Sequence, residues 1–124
     1  MSKVLLVEDD FNISTLYKIK LEHSGYTCLQ AYNGLEALKL LENNVPDLIL
    51  LDLKMPVMDG EQFLELYRKN YSTLTAPIIV LTNINSSEAP KTLWHHDIED
   101  YIVKAHTTPG ELVETIRAIL AKQS

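Results

Sequence analysis

A doubly wound α/β sandwich built around a parallel sheet is the fold class this sequence predicts, and three observations carry it. Five short runs rich in Val, Ile and Leu recur at residues 3–7, 26–31, 47–52, 77–82 and 99–103. The runs are continuously apolar instead of alternating, which fits strands covered on both faces. Segments of helical spacing lie between them, so five strand–helix units follow one another, and right-handed crossovers then place helices on both faces.

In the first unit, Val4-Leu5-Leu6-Val7 ends at Glu8-Asp9-Asp10, and Ile13, Leu16, Tyr17 and Leu21 mark the helix. The second strand contains Tyr26-Thr27-Cys28-Leu29. After the turn at Asn33-Gly34, its helix is marked by Ala37, Leu38, Leu41 and Val45. The third strand, Leu48-Ile49-Leu50-Leu51, ends at Asp52, and a helix marked by Phe63, Leu64 and Tyr67 starts after Asp59-Gly60. The fourth strand, Ile78-Ile79-Val80-Leu81, ends at Thr82. Its helix is the weak one. Ser86-Ser87-Glu88-Ala89-Pro90 can cap it if Pro90 falls in the first turn, where a missing N–H costs little. Lys91 to His96 is short and poorly amphipathic, so a brief, mobile helix is expected. The fifth strand, Tyr101-Ile102-Val103, ends at Lys104. Thr107-Thr108-Pro109, with Glu111 three residues after Thr108, reads as a capping box opening a last helix marked by Leu112, Val113, Ile116 and Leu120.

At 124 residues, one domain over 1–124 is expected, large enough for a real core. Hydrophobic residues at 46% and charged residues at 23% fit an ordinary globular protein. No stretch approaches the roughly 18 apolar residues of a membrane span. Met1-Ser2-Lys3 leads straight into a strand, so no signal peptide is expected. The net charge of −6 argues against a broad basic surface for nucleic acid. Cys28 is the single cysteine, which rules out an internal disulfide, and a buried thiol is expected there instead of a reactive one. Together these point to the cytoplasm.

In doubly wound sheets the active crevice lies beyond the carboxyl ends of the strands. Here four strands deliver acids, a hydroxyl and an amine to that edge. An acid cluster with one lysine suits a divalent cation and a phosphoryl group. Converging carboxylates repel, so one stays protonated or the group binds a cation. Mg²⁺ fits, because it takes hard oxygens and accepts phosphate as a ligand. Asp10, the last of the acids after the first strand, suits the start of the first helix, where the helix dipole favours negative charge.

Val-Glu-Asp-Asp at 7–10, Leu-Asp-Leu-Lys-Met-Pro at 51–56, Met-Asp-Gly at 58–60, Leu-Thr-Asn at 81–83 and Tyr-Ile-Val-Lys at 101–104 occur in this order. Over essentially the whole chain the sequence resembles the receiver domain of two-component response regulators, the CheY-like superfamily. The resemblance implies a flavodoxin-like (βα)5 sandwich with a five-stranded parallel sheet of order 2-1-3-4-5. It implies that Asp52 is a phosphoacceptor, forming an aspartyl phosphate by positioning and charge neutralisation. Asp9, Asp52 and the backbone carbonyl of Lys54 are implied Mg²⁺ ligands, with Glu8 acting through a metal-bound water. The Thr82 hydroxyl, the Asn83 N–H and the Lys104 ammonium are implied phosphate contacts. Thr82 and Tyr101 are implied switch residues that alter the face made by the fourth helix, fifth strand and fifth helix. Tyr101 has a plainer reading as a strand aromatic packed on the last helix.

The implied function is a phosphorelay receiver, a signalling domain and not an enzyme in the ordinary sense, which catalyses its own phosphorylation and dephosphorylation. Implied partners are a histidine kinase or histidine phosphotransfer protein as donor and a downstream output protein or domain. Acetyl phosphate is a further donor. No direct nucleic-acid or membrane contact is expected, and a phosphorylation-dependent homodimer would use a face weakened by the short fourth helix. The chain is either a stand-alone receiver or part of a longer regulator.

Several positions depart from the family. Ala105 follows Lys104 where proline, often after a cis bond, is usual. A cis bond before alanine costs roughly 2.5–4 kcal/mol, so a trans or shifted loop is expected. Asn83 replaces a small residue, while Lys54 and Ile84 flank the route of hydrolytic water. Trp94 is either a core filler or an exposed anchor for a partner. His95, His96 and Asp97 fit a solvated helix end better than a metal site, and His106 reads as a loop residue. A degenerate receiver, acting as a phosphorylation-independent interaction module, is the alternative. An aspartate-nucleophile phosphatase of the haloacid-dehalogenase type is rejected because Lys54 stands where that family needs a second acid.

Overall fold

Parallel strands that bury both faces must offer apolar side chains in both directions, and the five runs do so. The computed structural model describes residues 2–71 and 76–123. Strands β1 (Lys3–Val7), β2 (Thr27–Ala31), β3 (Leu48–Leu51), β4 (Ile78–Thr82) and β5 (Asp100–Val103) form one parallel sheet of order β2-β1-β3-β4-β5. On one face Leu5, Val7, Ile49, Leu51, Ile78 and Val80 pack under helices α2 (Gly34–Leu41) and α3 (Gly60–Asn70). On the other, Val4, Leu6, Leu48, Leu50, Ile79 and Leu81 meet α1 (Phe11–His23) and α4 (Pro109–Gln123). The doubly wound sandwich expected from the sequence is therefore the observed fold.

Local chemistry sets the helix starts. Asp10 caps α1, its carboxylate accepting from the Ile13 N–H at 3.0 Å. Asn33 caps α2 through the Glu36 N–H at 2.9 Å. Asp59 and Gln62 form a reciprocal capping box on α3. Thr108 and Glu111 do the same for α4, at 3.0 and 3.1 Å. Each such cap satisfies N–H groups that the first helical turn leaves orphaned.

Four details differ from the sequence reading. Leu16 is 54% exposed, because α1 turns Ser14, Tyr17 and Leu21 inward and Ser14 accepts a hydrogen bond from Gln30 on β2. Val45 lies outside α2 and is exposed, since α2 stops at Leu41 and the residue before Pro46 is disfavoured in helical backbone. Ile119 as well as Ile116 is buried on α4, with Leu120 only partly covered. No α-helix forms between β4 and β5. Two 3₁₀ segments, Ser86–Glu88 and Lys91–His96, stand there, separated by Ala89 in extended conformation and Pro90. Proline ends the first and precedes the second, instead of lying within one helix.

One glycine is dictated by space. A Cβ on Gly60 would lie 2.3 Å from the Asp52 carbonyl oxygen and 2.9 Å from the Leu53 Cα, both backbone atoms that cannot step aside. The Gly60 N–H also donates to the Leu53 carbonyl at 2.9 Å. The start of α3 is thus clamped against the chain at Asp52. Gly60→Ala is expected to cost about 1–3 kcal/mol of stability, the usual range for overpacking, measured by urea unfolding. Tyr67 offers the opposite case. It is fully buried between Phe63 and Tyr71, ring centroids 5.7 and 6.0 Å away, and its hydroxyl has no hydrogen-bond partner among the described residues. Tyr67→Phe keeps the ring stack and removes an unsatisfied group, so a gain of about 1 kcal/mol is expected in the same measurement.

Candidate functional site

The ladder registers bring the ends of β1, β3, β4 and β5 to one edge of the sheet. Val7 pairs with Leu51, Leu51 with Val80, and Thr82 with Val103. The residues that follow emerge together. Glu8, Asp9 and Asp52 each present a carboxylate oxygen, all within 4.8 Å of one another. Glu8 and Asp52 are buried, at 2% and 7% exposure, while Asp9 faces solvent. Two of the sequence-predicted acids are thus sunk in the fold and the third stands at its mouth.

Lys104 completes the group. Its ammonium donates to the Glu8 carboxylate and, at 3.1 Å, to Asp52 Oδ2. Asp52 Oδ1 accepts from the Leu53 N–H at 2.7 Å, and Glu8 Oε2 from the Asp10 N–H at 3.0 Å. Burial raises the Glu8 pKa above the ordinary carboxylate value, against the hydrogen bonds from Lys104 and Asp10. Burial alone would lower the Lys104 pKa, but the bond to Glu8 and the charges of Asp52 and Glu8 outweigh it, and the net shift is upward. The ammonium is therefore held charged where a lone lysine would lose its proton more easily.

The departure at Ala105 does not take Lys104 out of reach. No cis peptide bond occurs among the described residues, and Lys104 opens a 3₁₀ turn, Lys104–His106, that leaves its side chain on the two acids. Thr82 is buried, its hydroxyl oxygen accepting a long 3.5 Å bond from the Ile84 N–H. Asn83 is exposed beside it. Lys54 lies in the loop after β3 and, with Leu53, Asp59, Glu61, Ile84, Glu88 and Pro90, lines a cleft of about 310 Å³ next to Asp52. Lys54 and Ile84 thus line one cleft. In the same loop Met58 N–H donates to the Pro56 carbonyl at 2.7 Å around Val57, whose φ is 69°. That is a γ-turn centred on a β-branched residue, a strained conformation.

Tyr101 does not join the acid cluster. Its hydroxyl donates to the Ile84 carbonyl at 2.6 Å, and its ring stands 5.4 Å from that of Trp94. Burial, followed by the charges of Asp52 and Glu88, raises its pKa. Trp94 is 46% exposed and so is not a core filler. His95 and His96 end the second 3₁₀ segment, and Arg68 on α3 donates to the His96 carbonyl at 2.8 and 3.1 Å. Among the described residues, only Glu8, Asp9 and Asp52 form a group that could hold a metal. Cys28 is buried, its thiol pushed up to about 12 by desolvation and so unreactive. The Glu8–Lys104 pair, the Gly60 clamp and the Val57 turn were not anticipated. Only Gly60 had a sequence signal, as a glycine directly after a capping aspartate.

A hard-oxygen cluster with one buried ammonium is chemically suited to a small divalent cation and an anionic group together. Comparison with known proteins gives the same direction. A family model described as Response regulator receiver domain matches residues 4–117. Response regulator ArlR of Staphylococcus saprophyticus is 36% identical over 123 residues, covering 99% of this chain and 54% of that protein. The chain thus spans about half the length of the curated relatives it matches. A CheY-like receiver domain protein from Methanospirillum hungatei superposes with a TM-score of 0.88 at 31% identity, covering 99% of this chain and 96% of that one. TrrA from Thermotoga maritima, solved in complex with Mg(2+)-BeF, gives a TM-score of 0.80 at 31% identity, over 97% of this chain and 99% of that one. No helix among the described residues is long and apolar enough to cross a membrane. On the sheet order, the acidic edge and these likenesses, the chain belongs to the receiver domain family of two-component response regulators.

Proposed function

We propose that this chain is the phosphoacceptor of a cytoplasmic two-component phosphorelay, with residues 1–124 acting as one receiver domain and Asp52 as the acceptor. The observation that carries the reading is the convergence of Glu8, Asp9 and Asp52 within 4.8 Å, with the Lys104 ammonium on Asp52. One Asp52 carboxylate oxygen forms the new O–P bond as the donor's P–N bond, or P–O bond in acetyl phosphate, breaks and its electron pair leaves with the donor. The Leu53 N–H and Lys104 hold the Asp52 carboxylate from two sides and set its orientation, which is where most of the catalysis must come from.

Asp9, Asp52 and the Lys54 carbonyl would hold Mg²⁺, with Glu8 acting from behind. The bound cation would neutralise charge on the phosphoryl oxygens. That the Thermotoga relative takes Mg(2+)-BeF supports this choice of ion. Lys104 then pairs with one phosphoryl oxygen, and the Asn83 N–H serves another. The Thr82 hydroxyl accepts only a long bond and has no acceptor for its own proton among the described residues, so that proton is available to the phosphoryl group. Hydrolytic water enters through the cleft between Lys54 and Ile84. Pulling Thr82 inward draws on the segment that ends in Ile84, whose carbonyl holds Tyr101. The signal leaves through the face of Lys91–His96, β5 and α4, towards an output protein or domain. A histidine kinase or phosphotransfer protein is the donor.

The test is intact mass after acetyl phosphate, with and without Mg²⁺. A Mg²⁺-dependent gain of one phosphoryl group is expected in the native chain and none in Asp52→Ala. A phosphorylated Asp52→Ala protein would overturn the assignment of Asp52 as the acceptor, and no gain from either acetyl phosphate or a phosphorylated histidine donor would overturn the reading in favour of a phosphorylation-independent interaction module. Lys104→Met provides a second measurement, made by urea unfolding with chelator present. It leaves Glu8 and Asp52 buried without their cation, a loss of about 3 kcal/mol at pH 7 by the usual scale for a broken buried pair. Glu8 already has a raised pKa, and without Lys104 it rises further, so the folded variant takes up a proton more readily than the unfolded one. The deficit is therefore expected to shrink as pH falls through that raised value. A deficit constant between pH 7 and pH 4 would refute this account.

A further inference from the structure

Two links in this chain join an asparagine or aspartate directly to glycine, Asn33-Gly34 and Asp59-Gly60, and both stand at helix starts, on α2 and α3. The phosphoacceptor chemistry uses neither. In such links the glycine nitrogen can attack the neighbouring side-chain carbonyl carbon, because no Cβ shields it. Asn33 is the more reactive of the two, since an amide is a better electrophile than the ionised carboxylate of Asp59. Both glycine N–H groups are bound to carbonyls of one loop, the segment between β3 and α3. Gly34 donates to Met58 and Gly60 to Leu53, each at 2.9 Å.

Met58 also covers Gly34 physically. Gly34 is buried, and a Cβ at that position would lie 2.8 Å from Met58 Cγ and 2.9 Å from the Met58 carbonyl oxygen. Asn33 itself is held as the α2 cap, its Oδ1 accepting from the Glu36 N–H at 2.9 Å, while Glu36 accepts from the Tyr32 N–H at 2.9 Å. The Asn33 backbone is extended, at φ −163° and ψ 174°. Closing a five-membered ring between Asn33 Cγ and the Gly34 nitrogen has to turn ψ out of that conformation and break the bond to Met58. Asn85-Ser86 provides the contrast. Asn85 is exposed, and its side chain makes no capping bond to the segment that follows.

We infer that Asn33 is a covalent modification site of this chain, a deamidation site that Met58 holds shut and that reacts only when the loop after β3 lifts. In the open state hydroxide takes the Gly34 N–H proton. The nitrogen forms a bond to Asn33 Cγ, the Cγ–Nδ2 bond breaks, and ammonia leaves after taking a proton from water. Water then adds to either carbonyl of the cyclic imide, giving aspartate or isoaspartate at position 33. Aspartate caps a helix as well as asparagine does, so that product can close again. Isoaspartate places an extra carbon in the main chain, which moves the Gly34 N–H off the Met58 carbonyl. The loop between β3 and α3 then loses its tie to α2, and the opening becomes permanent. Neither the lock nor its chemistry rests on the receiver reading.

The test incubates the full chain at mildly alkaline pH, in buffer and in rising urea, and follows each asparagine by peptide mass mapping with chromatographic separation of isoaspartate. In full denaturant Asn33 is expected to convert ahead of Asn85, because glycine shields its nitrogen less than serine does. In the folded chain the order should reverse. Conversion at Asn33 should then be slower than in denaturant by about tenfold or more, the factor for an opening populated less than one time in ten. Below the unfolding transition its rate should scarcely change with urea, because lifting one loop exposes little surface. Met58→Ala strips the cover from Gly34 and should raise conversion at Asn33 about fivefold while leaving Asn85 unchanged. Asn33 converting ahead of Asn85 in the folded chain would overturn the lock. A rate that climbs with urea in step with global unfolding, or one that a folded Met58→Ala leaves unchanged, would overturn the local opening at Met58. If Met58→Ala does not fold, the urea series on the native chain decides alone.

Discussion

Lys104 lies between Glu8 and Asp52 with only 9% of its side chain exposed, and the arrangement of the site depends on that contact. Two buried carboxylates a few ångströms apart repel each other and have each lost most of their hydration. A single ammonium offsets both costs, and the backbone N–H groups of Leu53 and Asp10 supply the remaining bonds. The three partners come from β1, β3 and β5. In the sheet order, Lys104 reaches past the end of β4 to touch two strands that pair with each other. The contact therefore exists only once the sheet is complete, so the acid cluster is a property of the folded domain.

The floor of the site is equally constrained. Gly60 brings the start of α3 against the Asp52 carbonyl, and the γ-turn at Val57 bends the loop between them. Asp52 is consequently fixed on the side of the core, with Asp9 and Lys104 beside its carboxylate. On the proposed reading of Asp52 as phosphoacceptor, this fixed orientation would supply what the basicity of a carboxylate does not. The strain at Val57 is stored where the loop must hold one shape, as strained backbone at functional sites commonly is.

On the opposite side, the short 3₁₀ segments leave β5 lightly covered. Thr82, Ile84, Tyr101 and Trp94 form a chain of contacts from the buried edge to an exposed ring. A full α-helix between β4 and β5 would cover more of that edge. Pro90 and the extended Ala89 prevent it, and Arg68 anchors the far end of the segment to α3. This segment of short 3₁₀ turns is thus tied at both ends to rigid elements.

The five strands, the parallel sheet and the acids, hydroxyl and lysine at its edge were all legible from residue order, because buried strands have a composition of their own and polar residues at their ends stand out. Helix starts at Asp10, Asn33, Asp59 and Thr108 were legible for a similar reason: caps act over three or four residues, and sequence contains everything they need. Facing and extent were less so. Leu16 and Val45 fit helical spacing, yet α1 buries Ser14, Tyr17 and Leu21 instead of Leu16, with Ser14 bonded to Gln30 on β2, and α2 ended short of Val45. The pairing of Lys104 with Glu8, 96 residues away, had no local signal, nor did the tilted ring contact of Trp94 with Tyr101. Sequence by itself determined which groups reach the sheet edge, since that follows from strand period and termini. Which of them touch was decided by tertiary structure alone, because burial, charge and distance between remote strands act only after the chain has closed around them.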